Sequence, residues 1–224
     1  MKNQIWLVII LVFSQASQAA WPFTIFQNKK PFTIIIEASG DAYNPGRTIC
    51  NNFENAISFT IAQRVKEVVD SHFLHTKIFI NRTPTEIITP FQNAQFANKL
   101  NTDLYISIHC YLHAQNRPQI TLYQYSYKDP VILKKGNLGF YTFDQIYLLN
   151  ETQTNNWAQE LKKMLSEQHQ IDIDGVHKLP FKPLMGIEAS AVGIEIGINA
   201  DTQLDQIIQI ISNILQQFIV KNNT

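Results

Sequence analysis

The chain has 224 residues with 18 basic and 18 acidic side chains, a formal net charge of zero. That balance excludes the charge excess that would steer a protein to nucleic acid or to an anionic lipid surface. Two cysteines, Cys50 and Cys110, could make one disulfide, too few to frame a fold, so an apolar core must hold the chain together.

Lys2 is followed by an unbroken apolar run from Ile5 to Phe13, then by small and polar residues. The run is too short to cross a hydrocarbon layer of roughly 30 Å as a helix, and Ser17-Gln18-Ala19 places small residues where a signal peptidase reads. Residues 1–19 are therefore expected to be a signal peptide, cleaved after Ala19. The expected location is exported, periplasmic or extracellular, with no stable membrane insertion after cleavage. About 205 residues then remain, the size of a single domain.

From residue 32 onward short β-branched runs alternate with longer amphipathic stretches, which predicts an α/β fold with a mostly parallel central sheet flanked by helices. A strand is expected at 32–37, then a helix at 52–70 whose Phe53, Ile57, Ile61, Val65 and Val68 form one apolar stripe. A strand at 77–81 and a helix at 91–100 follow. Next come strands at 103–110 and 119–127. The segment 128–150, with Pro130, Gly136 and Gly139, reads as a loop plus hairpin. A helix at 154–169, a strand at 191–197 and a helix at 202–220, capped by Asp201 or Asn199, complete the domain at 32–220.

Three residues on this frame could carry chemistry. His109 ends the strand Asp103 to Cys110, on the face shared with Tyr105 and Ser107, and ligand sites in open α/β sheets lie beyond carboxyl strand ends. Glu195 sits in Ala191-Val192-Gly193-Ile194-Glu195-Ile196-Gly197, although ionised groups are rarely buried without a partner. Gly193 and Gly197 on its face would leave space for a ligand, a metal or a water; a basic partner is the alternative, and few basic residues lie near in sequence. Glu54 opens the first helix, where an acid also complements the helix dipole. His113 and His177 are read as surface histidines.

Glu54, the segment Thr102 to His109 and the segment Ala191 to Gly197 together resemble the zinc-dependent N-acetylmuramoyl-L-alanine amidases. Ile61-Ala62, Arg64-Val65-Lys66-Glu67, Phe96-Ala97-Asn98 and Gly175-Val176 fall in family-like order, so the resemblance covers roughly residues 33–218. It implies that Glu54 and His109 are metal ligands for Zn2+, that Glu195 is catalytic, and that the partner is peptidoglycan. An activator protein, if the chain has one, is not legible.

The family carries a further ligand histidine in Asp-Pro-Gly-His-Gly-Gly after the first strand. Here Glu37-Ala38-Ser39-Gly40 aligns with the first four residues, so Gly40 stands in the histidine's place. Asp41, next in the loop, or Cys50, four residues before Glu54, could substitute as a ligand. Two functions follow: a hydrolase that cuts the amide between N-acetylmuramic acid and L-alanine with zinc-activated water, or a metal-free pseudoenzyme that binds peptidoglycan or regulates a wall hydrolase.

Overall fold

The computed structural model describes residues 30–127, 133–135, 138–199 and 203–222. The expected signal peptide and Asp201 lie outside them. The first strand, β1 (Phe32–Ala38), is buried at every position. A two-residue hairpin, β2 (Thr48–Ile49) and β3 (Asn52–Phe53), leads into α1 (Glu54–Asp70). There follow β4 (Thr76–Ile80), α2 (Pro90–Lys99), β5 (Leu104–Leu112) and β6 (Gln119–Tyr125). A small hairpin, β7 (Leu133–Lys135) and β8 (Leu138–Phe140), precedes a 3-10 helix at Phe143–Leu149 and then α3 (Glu151–Ser166). The chain closes with β9 (Asp172–Leu179), β10 (Ser190–Ile198) and α4 (Gln203–Asn222).

Six strands form the main sheet in the order β4-β1-β5-β10-β6-β9. β4, β1, β5 and β10 run parallel, β6 is antiparallel to β10, and β9 is parallel to β6. Alternation along β5 sends Leu104, Ile106, Ile108 and Cys110 to one face, where they pack with Ile57, Ile61 and Val65 of α1 and with Ile207, Ile211 and Leu215 of α4. Tyr105 goes to the other face with Ala94 and Ala97 of α2. The sheet is thus covered on both sides, which is why its central strands read as near-continuous apolar runs.

Several boundaries differ from expectation. Phe53 does not join the helix stripe: it precedes α1 in extended conformation and is exposed. The last turn buries Val69, with Val68 only partly covered. α3 begins three residues before Thr154, with Glu151 in its first turn complementing the positive helix end. β9 has no clean alternation because it is an edge strand, and Asp172, Asp174 and Lys178 keep its open side soluble. Asn199, expected as a cap of α4, donates its backbone N–H to Gln203 Oε1 and its Nδ2 to Asn116 Oδ1, both at 2.9 Å.

The loop after β1 rests on a buried polar network. Asn81 Oδ1 accepts from the Ala38 N–H, Asn81 Nδ2 donates to Asn93 Oδ1, and Asn93 Nδ2 donates to Glu37 Oε1. Arg82, itself buried, donates through Nε to the Ala38 carbonyl and through Nη2 to the carbonyls of Ser39 and Asn55, at 3.1, 3.1 and 3.0 Å. It clamps the end of β1 to the first turn of α1. Replacing Arg82 by Ala removes three hydrogen bonds from these carbonyls, two of which keep only Ser58 Oγ as a side-chain donor, and is expected to cost about 2–3 kcal/mol in urea unfolding, a large loss for one residue.

Candidate active site

Three parallel strands and the start of one helix bring the chemistry-bearing side chains together. β5 and β10 pair so that His109 lies directly opposite Glu195. α1 begins beside the carboxyl end of β5, and Glu54 Oε1 lies 3.3 Å from His109 Nδ1. The three residues singled out from sequence therefore line one cleft. Phe181 packs edge-on against the His109 ring, and Ser107 Oγ lies 3.0 Å from His109 Nε2.

Glu54 is almost fully buried yet well supplied with donors. Oε1 accepts from Ser39 Oγ at 2.9 Å and from the Cys110 N–H at 3.2 Å, while Oε2 accepts from the Arg47 N–H at 3.1 Å. Gly46, at φ +77°, lets the backbone come this close, since a Cβ there would meet Glu54 Oε2 at 2.7 Å. Burial alone would raise the Glu54 pKa, but its bonds to His109, Arg47, Cys110 and Ser39 outweigh that and hold it down at about 2.

Glu195 has a basic partner, and it comes from 148 positions earlier in the chain. Arg47 Nη1 donates to Glu195 Oε1 at 2.7 Å, and Tyr123 Oη donates to Oε2 at 2.8 Å. The proton on Tyr123 is held by its burial and by this bond, with the phenol pushed up to about 12. The glycines flanking Glu195 do not open a vacancy as expected. A Cβ on Gly193 would meet the Phe181 ring at 2.7 Å, and one on Gly197 the Tyr111 ring at 2.6 Å, so aromatic side chains fill both spaces.

Neither proposed substitute reaches the cleft's donor pair. Asp41 Oδ1 accepts from the N–H groups of Tyr43 and Asn44, closing its own turn. The carboxyl pKa is lowered: burial raises it, and the N–H groups of Asn44 and Tyr43 more than offset that. Cys50 sits in the β2–β3 turn at φ 52°, outside α1, and its thiol donates to the Asn199 carbonyl. Both cysteines are free thiols, and burial pushes the Cys110 pKa well up. His177 is exposed and pairs with Asp174 on the surface; His113 is partly covered beside Tyr111.

At Gly40, a Cβ would meet the Asn44 carbonyl oxygen at 2.8 Å and Asn55 Cβ at 2.9 Å. The side chain that this loop turns toward Glu54 is Ser39. Sequence reasoning missed Arg47, Ser39 and Tyr123 in the site. Ser39 and Arg47 flank a turn whose path only the folded loop reveals, and Tyr123 lies across an antiparallel pairing that periodicity cannot register.

A profile of the N-acetylmuramoyl-L-alanine amidase family matches residues 34–210, which is most of the chain and includes Glu54, His109 and Glu195. The chain belongs to this family. It is thereby grouped with hydrolases that cut an amide bond in peptidoglycan, the family's substrate. Solved structures agree in fold. The catalytic domain of CwlV, an N-acetylmuramoyl-L-alanine amidase from Bacillus (Paenibacillus) polymyxa var. colistinus, is 14% identical, with 84% of this chain and 97% of that one covered and a TM-score of 0.61. An N-acetylmuramoyl-L-alanine amidase from Clostridium difficile 630 gives 16% identity, coverage of 86% and 99%, and a TM-score of 0.62. The CwlD amidase of Clostridioides difficile, solved in complex with the GerS lipoprotein, gives 16%, coverage of 85% and 99%, and 0.52. No curated protein matches the sequence significantly.

The family is generally zinc-dependent. The residues of this chain do not fit a three-ligand zinc site: among the described residues no three His, Cys, Asp or Glu side chains converge to hold a metal ion. Glu54 and His109 are a pair, and beside them stands the Arg47 cation, whose Nε lies 4.0 Å from Glu54 Oε2.

Because the Glu54 pKa lies near 2 in the fold against an ordinary 4.5, its contribution to stability is present above about 4.5 and is lost as pH falls through about 2. Glu54→Gln is expected to remove that acid limb, flattening the pH dependence of the unfolding midpoint between these values, and to destabilise the protein at neutral pH by about 1–3 kcal/mol. Thermal unfolding across the pH range measures both.

Proposed function

We propose that this cleft receives the amide joining the lactyl group of N-acetylmuramic acid to the L-alanine of the stem peptide, and that Glu195 is the acid/base of its hydrolysis. What supports the reading is the convergence of Glu54, His109 and Glu195 in a chain of the amidase family. Water oxygen would attack the carbonyl carbon, Glu195 would take the water's proton, and the carbon–nitrogen bond would break with that proton passing to the departing amine. The products are a glycan strand carrying a free lactyl carboxylate on its muramic acid and a peptide with L-alanine at its amino end.

Tyr123 orients Glu195, and the rings of Phe181 and Tyr111 exclude bulk water on either side of it. His109 and Glu54 face the same space. As a pair they are one ligand short of the three that a catalytic zinc site ordinarily supplies.

A second reading, peptidoglycan binding without hydrolysis, is favoured by one observation: both oxygens of Glu195 are already engaged, by Arg47 and Tyr123, so a water would have to share the carboxylate with two fixed donors. Purified protein incubated with sacculi distinguishes the two. Release of L-alanine-terminated peptides, detected by mass spectrometry and reduced at least about a hundredfold in Glu195→Gln, is the expected result. Retention on sacculi with no peptide released, equal in wild type and variant, would favour binding alone.

Export fits a family whose members are typically exported, and among the described residues no helix is long and apolar enough to cross a membrane. The signal peptide at 1–19 is part of this proposal. Amino-terminal sequencing of the exported protein is expected to begin at Ala20.

A further inference from the structure

Two carboxylates from separate elements, Glu54 on α1 and Glu195 on β10, face the same space, and the charge between them is supplied by one side chain. Arg47 donates its backbone N–H to Glu54 Oε2 and its Nη1 to Glu195 Oε1, with Nε 4.0 Å from Glu54 Oε2. The same Nη1 lies 3.4 Å from the Cys110 carbonyl oxygen, and the guanidinium carbon stands 5.9 Å from the centroid of the Tyr111 ring. The group is therefore seated by two anions, a carbonyl and an aromatic face, while half of its surface stays open to solvent.

We propose that Arg47 is the permanent cation of this cleft, standing in for a metal ion between Glu54 and Glu195 and excluding a divalent ion from it. The proposal deepens the peptidoglycan reading, on which it rests, by assigning the positive charge of the site. A guanidinium suits the task because it is always charged, is planar, and has donors enough to hold two carboxylates and still offer an edge to a ligand.

Three further features turn the site away from a metal. A like charge beside the Glu54–His109 pair repels a dication. Any ion at Glu54 would have to share its oxygens with fixed donors of the chain, Ser39 and Cys110 on one and Arg47 on the other. The loop that would bring a third ligand closes tightly at Gly40, where a Cβ would meet the Asn44 carbonyl at 2.8 Å.

The test is a zinc titration of the purified protein after chelator dialysis, read by calorimetry, by elemental mass spectrometry and by the thermal midpoint. Wild type is expected to take up no stoichiometric zinc and to show no rise in midpoint with zinc. Arg47→Ala is expected to melt lower without metal, to bind zinc at least about tenfold more tightly than wild type, and to regain midpoint when zinc is added. Adding Glu54→Gln to that variant should abolish the gain. Arg47→Met, which keeps the apolar stem, replaces Arg47→Ala if the latter fails to fold. One equivalent of zinc bound by wild type and lost in Glu54→Gln would overturn the proposal, as would unchanged zinc affinity in the Arg47 variants. Sacculus digestion is read separately: absence of released peptide overturns the amidase reading while the titration still decides the role of Arg47.

Discussion

The buried carboxylate of Glu54 is the point to which the cleft is tied. It accepts from Ser39 in the loop after β1, from the backbone of Arg47 in the following turn and from the backbone of Cys110 on β5, and it meets His109 on the same strand. Pieces of chain more than fifty residues apart are thereby fixed relative to one another. A carboxylate can hold this place because each oxygen accepts more than one bond, and charge-assisted bonds in a secluded setting are strong enough to offset the cost of burial.

From that anchor the rest of the site follows. Fixing the Arg47 backbone to Glu54 aims its side chain across the carboxyl end of β5 toward Glu195 on the next strand. Glu195 in turn is held from the antiparallel side by Tyr123, so its two oxygens point at groups from opposite edges of the cleft. The aromatic rings of Tyr111 and Phe181 stand over the adjacent glycines, which is why those positions lack a side chain. The small residues around Glu195 serve close packing of rings, not an open chamber.

The amidase family frame and the altered centre are compatible in physical terms. The sheet order and the pairing of β5 with β10 depend on apolar alternation, which tolerates change at the strand ends. A metal centre depends on a few side chains meeting at one point, and where the metal is lost with one of them, the remaining carboxylate needs another cation to balance it. Arg47 supplies that charge from within the chain.

The sequence by itself determined the class of fold and most of its elements, because burial on both faces of a parallel sheet forces long apolar runs and a helix stripe repeats every three to four residues. It also singled out His109 and Glu195, since a polar group at the end of a buried strand or among apolar residues stands out, whereas Glu54, an ordinary first-turn acid by itself, stood out only in combination with them and through the family resemblance. It failed at β9, an edge strand whose charges mask the alternation, and at the apolar face of α1, where Phe53 lies outside the helix. Only the tertiary structure decided which groups surround these residues. The ion pair between Arg47 and Glu195, the turn of Ser39 toward Glu54, and the withdrawal of Asp41 and Cys50 into bonds of their own depend on loop paths and strand register. Those are set by contacts between distant segments, which no local pattern in the chain encodes.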